Sequence, residues 1–269
     1  MPANRGTLCI DQRRCNNNIK PLQKFFIKCC RYILGVKFLP VFAGPLKGFK
    51  WSTSVNYDFL TGTYEDPGTL KEFCSWLNSR TVFYDLGANT GYYSILAATI
   101  ISEGKVIAFE PIPKHRDLFH QHIEKNKNRL SAKIILLPEA VTSHRQMLSF
   151  SKIDTEGASY VRNGNVQMQV RGIAIDDFVA EGNPPPDVLK IDVEGAEYDV
   201  LMGSRNVIQK YRPRILLATH DSHLPGVKQK CLELLGQWGY QAKHTGHFNK
   251  NHAGLDDYLA EYKQTEVTY

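Results

Sequence analysis

Phe83-Tyr84-Asp85-Leu86-Gly87-Ala88-Asn89-Thr90-Gly91 decides the fold of this chain. An apolar run ends in an acid, two glycines follow four positions apart, and the helical pattern of residues 92–98 begins at once. That order spells a strand, a tight turn and a helix start. Nineteen positions after Gly91, a second apolar run, Lys105-Val-Ile-Ala-Phe109, ends in Glu110. A glycine turn after one strand and an acid after the next is the way an α/β sheet grips an adenosine. The helix start meets the polar groups of the ligand, and the acid meets the ribose hydroxyls.

Outward from this centre, apolar runs and helical stretches alternate. Strands are expected at 82–86, 105–109, 133–137, 187–191 and 214–219. Helices are expected at 69–77, 92–100, 114–126, 173–179, 196–209 and 226–238. Strand-like pieces at 146–150 and 166–171 lie in a polar stretch, and residues 239–269 show no clear period. Strands spaced by helices of this length predict βαβ units in a mostly parallel sheet with helices on both faces.

The ligand class follows from the turn's chemistry. A dinucleotide fingerprint needs three glycines so that the backbone can approach a pyrophosphate. Here Asn89 stands where the middle glycine would be, and the carboxylate of Asp85 opposes a phosphate. A cationic, phosphate-free nucleoside fits better, and S-adenosylmethionine is the expected cofactor. A second acidic segment, Lys190-Ile-Asp192-Val-Glu194-Gly-Ala-Glu197, ends the strand expected at 187–191. Ligands of open α/β sheets sit beyond the carboxyl ends of the strands, so these acids are expected to face an acceptor or a divalent ion such as Mg2+. His220 ends the next strand and is the first candidate for a general base, with Asp192 the second and Glu194 beside them. His115, His120, His122 and His144 form no cluster and read as surface residues.

The 33 Lys/Arg and 27 Asp/Glu give a net charge of +6, but residues 1–50 hold ten basic residues against the single acid Asp11. The rest of the chain is therefore net negative, and the basicity belongs to an N-terminal extension, residues 1–43, ahead of a domain spanning 44–269. Residues 1–20 read as disordered and 21–34 as a basic amphipathic helix. The plain reading of this charge is a solvated basic extension, and the alternative is a weak contact with anionic lipid at a membrane surface, with nucleic acid or with an acidic partner. A nucleic-acid role is disfavoured, because residues 51–269 lack interleaved basic and aromatic side chains. The longest apolar stretch, 32–43, is too short to span a bilayer and is broken by Lys37 and Pro40, which suggests a cytoplasmic protein. Six cysteines form no paired-ligand spacing, so no zinc site is expected.

With these segments in hand, the chain resembles the FkbM-type family of S-adenosylmethionine-dependent methyltransferases. The resemblance rests on Tyr84-Asp-Leu-Gly-Ala-Asn-Thr-Gly-Tyr-Tyr93, Val106-Ile-Ala-Phe-Glu-Pro-Ile-Pro113, Glu139-Ala-Val141 and Leu189-Lys-Ile-Asp-Val-Glu-Gly-Ala-Glu197. Gly44-Pro-Leu-Lys-Gly48 and Gly62-Thr-Tyr-Glu65 extend it upstream. It implies a class I methyltransferase fold, a doubly wound α/β sheet of seven mostly parallel strands with one antiparallel strand near the C-terminus. It implies that Asp85, Gly87 and Asn89 line the methionine side, that Glu110 takes the ribose and that Glu139 lies near the adenine. Ala88, Gly91, Pro111 and Ala140 adjoin them in the expected donor site. It also implies O-methylation of a hydroxyl on a sugar, glycan or secondary metabolite. A small amine acceptor and an RNA-directed role are the rival readings. One departure stands out. Many members carry an acid just before the histidine at the end of the strand matching 214–219, whereas this chain has Ala218-Thr219-His220-Asp221.

Overall fold

The computed structural model describes residues 19–153, 158–160, 168–245 and 255–263. The chain divides into two compact units, Met1–Pro67 and Gly68–Tyr269. In the first, helix α1 (Ile19–Tyr32) precedes strands β1 (Phe38–Pro40) and β2 (Lys50–Ser52) and the short helix α2 (Tyr57–Thr61). β1 and β2 pair antiparallel, Phe38 opposite Ser52. Residues 44–67 thus fold with the segment before them, and the boundary falls later than the expected division at 43/44. Of residues 1–20, expected to be disordered, 1–18 lie outside the described residues, and Ile19 and Lys20 instead begin α1.

The second unit is an α/β sheet. Its elements are α3 (Pro67–Ser75), β3 (Val82–Leu86), α4 (Tyr92–Ile100), β4 (Lys105–Phe109), α5 (Pro113–Asn126), β5 (Ile134–Leu137), β6 (Ala140–Val141), β7 (Gln146–Ile153), β8 (Ala158–Tyr160) and β9 (Met168–Ile173). There follow α6 (Ile175–Ala180), β10 (Val188–Ile191), α7 (Glu197–Gly203), α8 (Arg205–Tyr211), β11 (Arg214–His220), α9 (Val227–Gln237), β12 (Tyr240–His244) and β13 (Leu255–Tyr262). The large sheet has seven strands in the order β12-β13-β11-β10-β3-β4-β5. The pairs from β11 to β5 are parallel, and β13 runs antiparallel to both β11 and β12. Every residue of β10 is buried. A strand covered on both faces is mostly apolar, and this is why the central strands were visible as hydrophobic runs, interrupted by Asp85 in β3 and Lys190 in β10.

Two regions differ from expectation. The polar stretch after β5 forms a second sheet, β6-β9-β7-β8, with its own small core of Ile112, Ala140, Leu148, Phe150 and Val170. The helix expected over 196–209 is broken at Ser204, whose side chain bonds back to the Val200 carbonyl. His122 and His115, expected at the surface, are buried. They lie on the inner face of α5, and His122 Nδ1 donates to the Thr90 carbonyl at 2.9 Å.

The turn after β3 explains its own sequence. Gly87, Asn89 and Gly91 all have positive φ, at 79°, 50° and 91°. A Cβ on Gly87 would lie 1.8 Å from the Asp192 carbonyl oxygen, and one on Gly91 2.1 Å from the Phe119 ring. Both positions need glycine for conformation and for space. Asparagine is among the few other residues that tolerate the left-handed region.

Candidate active site

Because β3, β4, β10 and β11 are parallel neighbours, their carboxyl ends open on one edge of the sheet. The turn after β3 and the acidic segment after β10 touch there, through Gly87 and the Asp192 backbone.

Lys190 joins the two. Its ammonium, almost fully buried, lies 3.3 Å from Asp85 Oδ1 and 3.1 Å from Asp192 Oδ2. Burial alone would lower its pKa, but the charges of Asp192 and Asp85 outweigh that and raise it. Asp85 is completely buried and takes a 2.6 Å hydrogen bond from Ser94. The sequence assigned Asp85 to the ligand's cationic end; in the structure it braces the turn from below through Lys190 and Ser94. Gly87 and Ala88 donate their amides to the Phe109 carbonyl, both at 3.0 Å.

Glu110 closes the other side. Its two carboxylate oxygens accept the amides of Asn89 and Ile112, each at 2.8 Å, and His115 Nδ1 lies 3.4 Å away. Each oxygen keeps a second lone pair, so Glu110 shapes the turn and retains capacity for ligand hydroxyls. Pro111 follows it half-buried, and its carbonyl accepts from Arg116 at 2.7 Å. Glu139 is partly exposed and lies 4.0 Å from Arg171. Ala140 pairs through its backbone with Gly172, and its side chain joins Ile112 in the core of the second sheet.

The acidic segment gathers round His220. Nδ1 of this buried imidazole is 2.7 Å from Glu197 Oε1. Nε2 lies 3.5 Å from Asp192 Oδ1 and 3.4 Å from Glu194 Oε2. His223 stacks on the ring and reaches Glu194 at 3.1 Å. Burial would lower the His220 pKa, but the Glu197 hydrogen bond and the charges of Asp192, Glu194 and Glu197 prevail and raise it to about 9. A raised pKa favours the charged imidazole at neutral pH, in which form it donates to the carboxylates around it. For Asp192, burial would raise the pKa, yet Lys190 and His220 hold it below the usual value. Glu194 goes the other way, raised by burial with Asp192 adding to it. Asp257 on β13 is raised to about 6, again by burial and by the Asp192 charge.

Two site residues were missed or underrated in the sequence. Glu197 is wholly buried in the first turn of α7 and supplies the acid absent before His220. Its second oxygen has no hydrogen-bond partner. Asp257 sits on the hairpin whose period was illegible. Among the described residues, Asp192, Glu194 and His220 also form a group whose ligand atoms, all within 4.8 Å of one another, could hold a metal ion.

A seven-stranded sheet in this order, with β13 reversed and a glycine turn between β3 and an acid at the end of β4, defines a class I methyltransferase fold. The FkbM methyltransferase domain matches residues 85–264, and the chain belongs to that family. It is 32% identical over 139 residues to the hexuronic acid methyltransferase AglP of Haloferax volcanii, a match covering 48% of this chain and 52% of AglP. The chain thus spans about half the length of that relative. The crystal structure of a methyltransferase FkbM from Methylobacillus flagellatus is similar in fold, with a TM-score of 0.50 and 16% identity over 69% of this chain and 44% of that one.

Proposed function

We propose that this protein moves a methyl group from S-adenosyl-L-methionine to a hydroxyl oxygen of a sugar or glycan. The observation that carries this reading is the contact between the β3 turn and the segment bearing Asp192 and Glu194. A donor held by the turn would find its acceptor at those carboxylates. The turn suits such a donor. Acids surround it, and one buried oxygen, Thr90 Oγ1, has no hydrogen-bond partner. The similarity to a hexuronic acid methyltransferase favours a sugar acceptor.

When bound, S-adenosyl-L-methionine supplies a methyl group activated on a sulfonium. The protein's part is to orient a weakly nucleophilic hydroxyl and take its proton. Glu194, whose raised pKa makes it the better proton acceptor, removes that proton as the new C–O bond forms. Asp192, pinned by Lys190, orients the hydroxyl. Charged His220 holds both carboxylates in place and is itself held by Glu197. Glu110 takes the ribose hydroxyls on its spare lone pairs. This scheme needs no Mg2+, and the donor set argues against that ion, because an imidazole with two carboxylates suits Mn2+ or Zn2+ better.

Transfer of labelled methyl from S-adenosyl-L-methionine to uronic acids, neutral sugars and small amines tests the reading. Labelling of a sugar hydroxyl supports it. Labelling of amines alone, or no calorimetric binding of the donor, rejects it.

A further inference from the structure

Helix α1 has two apolar stripes where a helix docked on one core needs one. Ile27 and Cys30 form the first and are buried. The second consists of Leu22, Phe25 and Phe26 on the helix, with Tyr32, Ile33 and Leu34 at its end, all between 52% and 76% exposed. Leu22, Phe25, Phe26 and Ile33 follow the i, i+3, i+4, i+11 spacing of a single helical face. These six residues make up most of the ten large hydrophobic side chains exposed among the described residues. Between the stripes stand exposed Lys28, Lys24, which pairs with Asp58 at 3.1 Å, and Arg31, which donates to the Thr53 carbonyl at 3.1 Å. Residues 19–50 carry seven Lys/Arg and no acid.

We propose that α1 docks in the plane of an anionic lipid bilayer, its second stripe sunk among the acyl chains and its basic residues among the headgroups. Apolar surface flanked by positive charge fits an interface that is apolar beneath and negative above. A nucleic acid would satisfy the charge and leave the apolar face in water. A protein partner would cover the apolar face without calling for so one-sided a charge. Spanning is ruled out for α1 by length, since 14 residues reach about 21 Å against a core of about 30 Å. No helix among the described residues is long and apolar enough to cross a membrane. This inference is independent of the methyl-transfer reading.

The test is co-sedimentation of the full chain with vesicles of phosphatidylcholine alone and with about one-third phosphatidylglycerol added. Binding to the anionic vesicles is expected to exceed binding to the neutral ones, and to weaken as salt shortens the screening length. Phe25→Glu with Ile33→Glu should lower partitioning roughly a hundredfold, and Lys28→Glu roughly fivefold or more. Phe25→Ala is the milder variant, expected to lose about tenfold, and circular dichroism melts matching the parent confirm that all three fold. Equal binding to both vesicle types overturns the proposal, as does anionic binding that survives Phe25→Glu with Ile33→Glu. A dimer in size exclusion that dissociates on Phe25→Glu with Ile33→Glu, with no vesicle binding, also overturns it and makes the stripe a self-association surface.

Discussion

The Glu197–His220 pair ties the stability of the fold to pH in a direction that can be worked out. An unfolded chain releases the imidazole proton near pH 6.5, whereas the folded protein keeps it to about 9. The folded pKa is raised, so the stabilisation is complete below about 6.5 and is lost as pH climbs through about 9. The gap corresponds to about 3 kcal/mol, undiscounted for solvent because the ring is only 6% exposed. Glu197→Gln keeps the shape and removes the charge. The bond to Nδ1 then falls from charge-assisted to neutral, a loss of about 1–1.5 kcal/mol, and His220 should titrate about one pH unit lower. The assay is the imidazole carbon-bound proton shift in an NMR titration, with urea unfolding at the two ends of the window. His220→Gln should flatten the loss of stability with rising pH relative to the parent. In turnover, the activity should hold through neutrality and fall above about pH 9, the opposite of a rise through the imidazole range. A native His220 that titrates at or below about 6.5, or a His220→Gln variant with the parent's pH slope, would refute the reasoning.

Three further outcomes can be checked. Glu110→Ala should weaken S-adenosylhomocysteine binding by about 1.5–3 kcal/mol in calorimetry, and it should also lower the urea midpoint, because two turn amides lose their acceptor. His122 has its pKa lowered to about 4 by burial; since the unfolded chain takes up the proton first, stability should fall by about 3 kcal/mol as pH drops from about 6.5 to 4, and His122→Gln should remove that slope in acid denaturation. Gly87→Ala should cost about 2–4 kcal/mol in thermal unfolding, from the left-handed backbone and from overlap with the Asp192 carbonyl.

The parts of the fold that the sequence revealed are those where one local rule decides. Val188, Leu189 and Ile191 had to be apolar because β10 is covered on both faces, with Lys190 admitted only because Asp85 and Asp192 pair with it, and the β3 turn had to carry glycine where backbone meets backbone. Asp192 and His220 were legible as a pair because each ends a strand and parallel strands end together. Glu197 was not assigned its role. It lies in a helix, 23 residues from His220, and only the approach of α7 to β11 brings them together. Lys190 and Asp85 are likewise 105 residues apart, joined by register, with Lys190 opposite Asp85 between β10 and β3. The β12–β13 hairpin, with Asp257, was hidden because only the first of β12's five residues is buried, so no period survives.

The acid expected before His220 also shows why a motif and a mechanism can part company. What an imidazole requires is a carboxylate at Nδ1, and any element that reaches that atom can supply it. Here the start of α7 does so, with the Gly195 amide fixing the same Glu197 oxygen at 2.8 Å. The arrangement has an electrostatic reason. Lys190 and His220 each stand between acids, and Asp192 is shared by both. Removing either cation would leave a carboxylate largely buried without its partner, a cost of about 3–5 kcal/mol. The cluster therefore holds its shape before any ligand arrives. Lys190 reaches Asp85 on β3 as well, so the turn and the acidic segment form one rigid body across the sheet edge. On the proposed function, that coupling would hold a methyl donor on one side in line with an acceptor hydroxyl on the other, the geometry that methyl transfer by direct displacement demands.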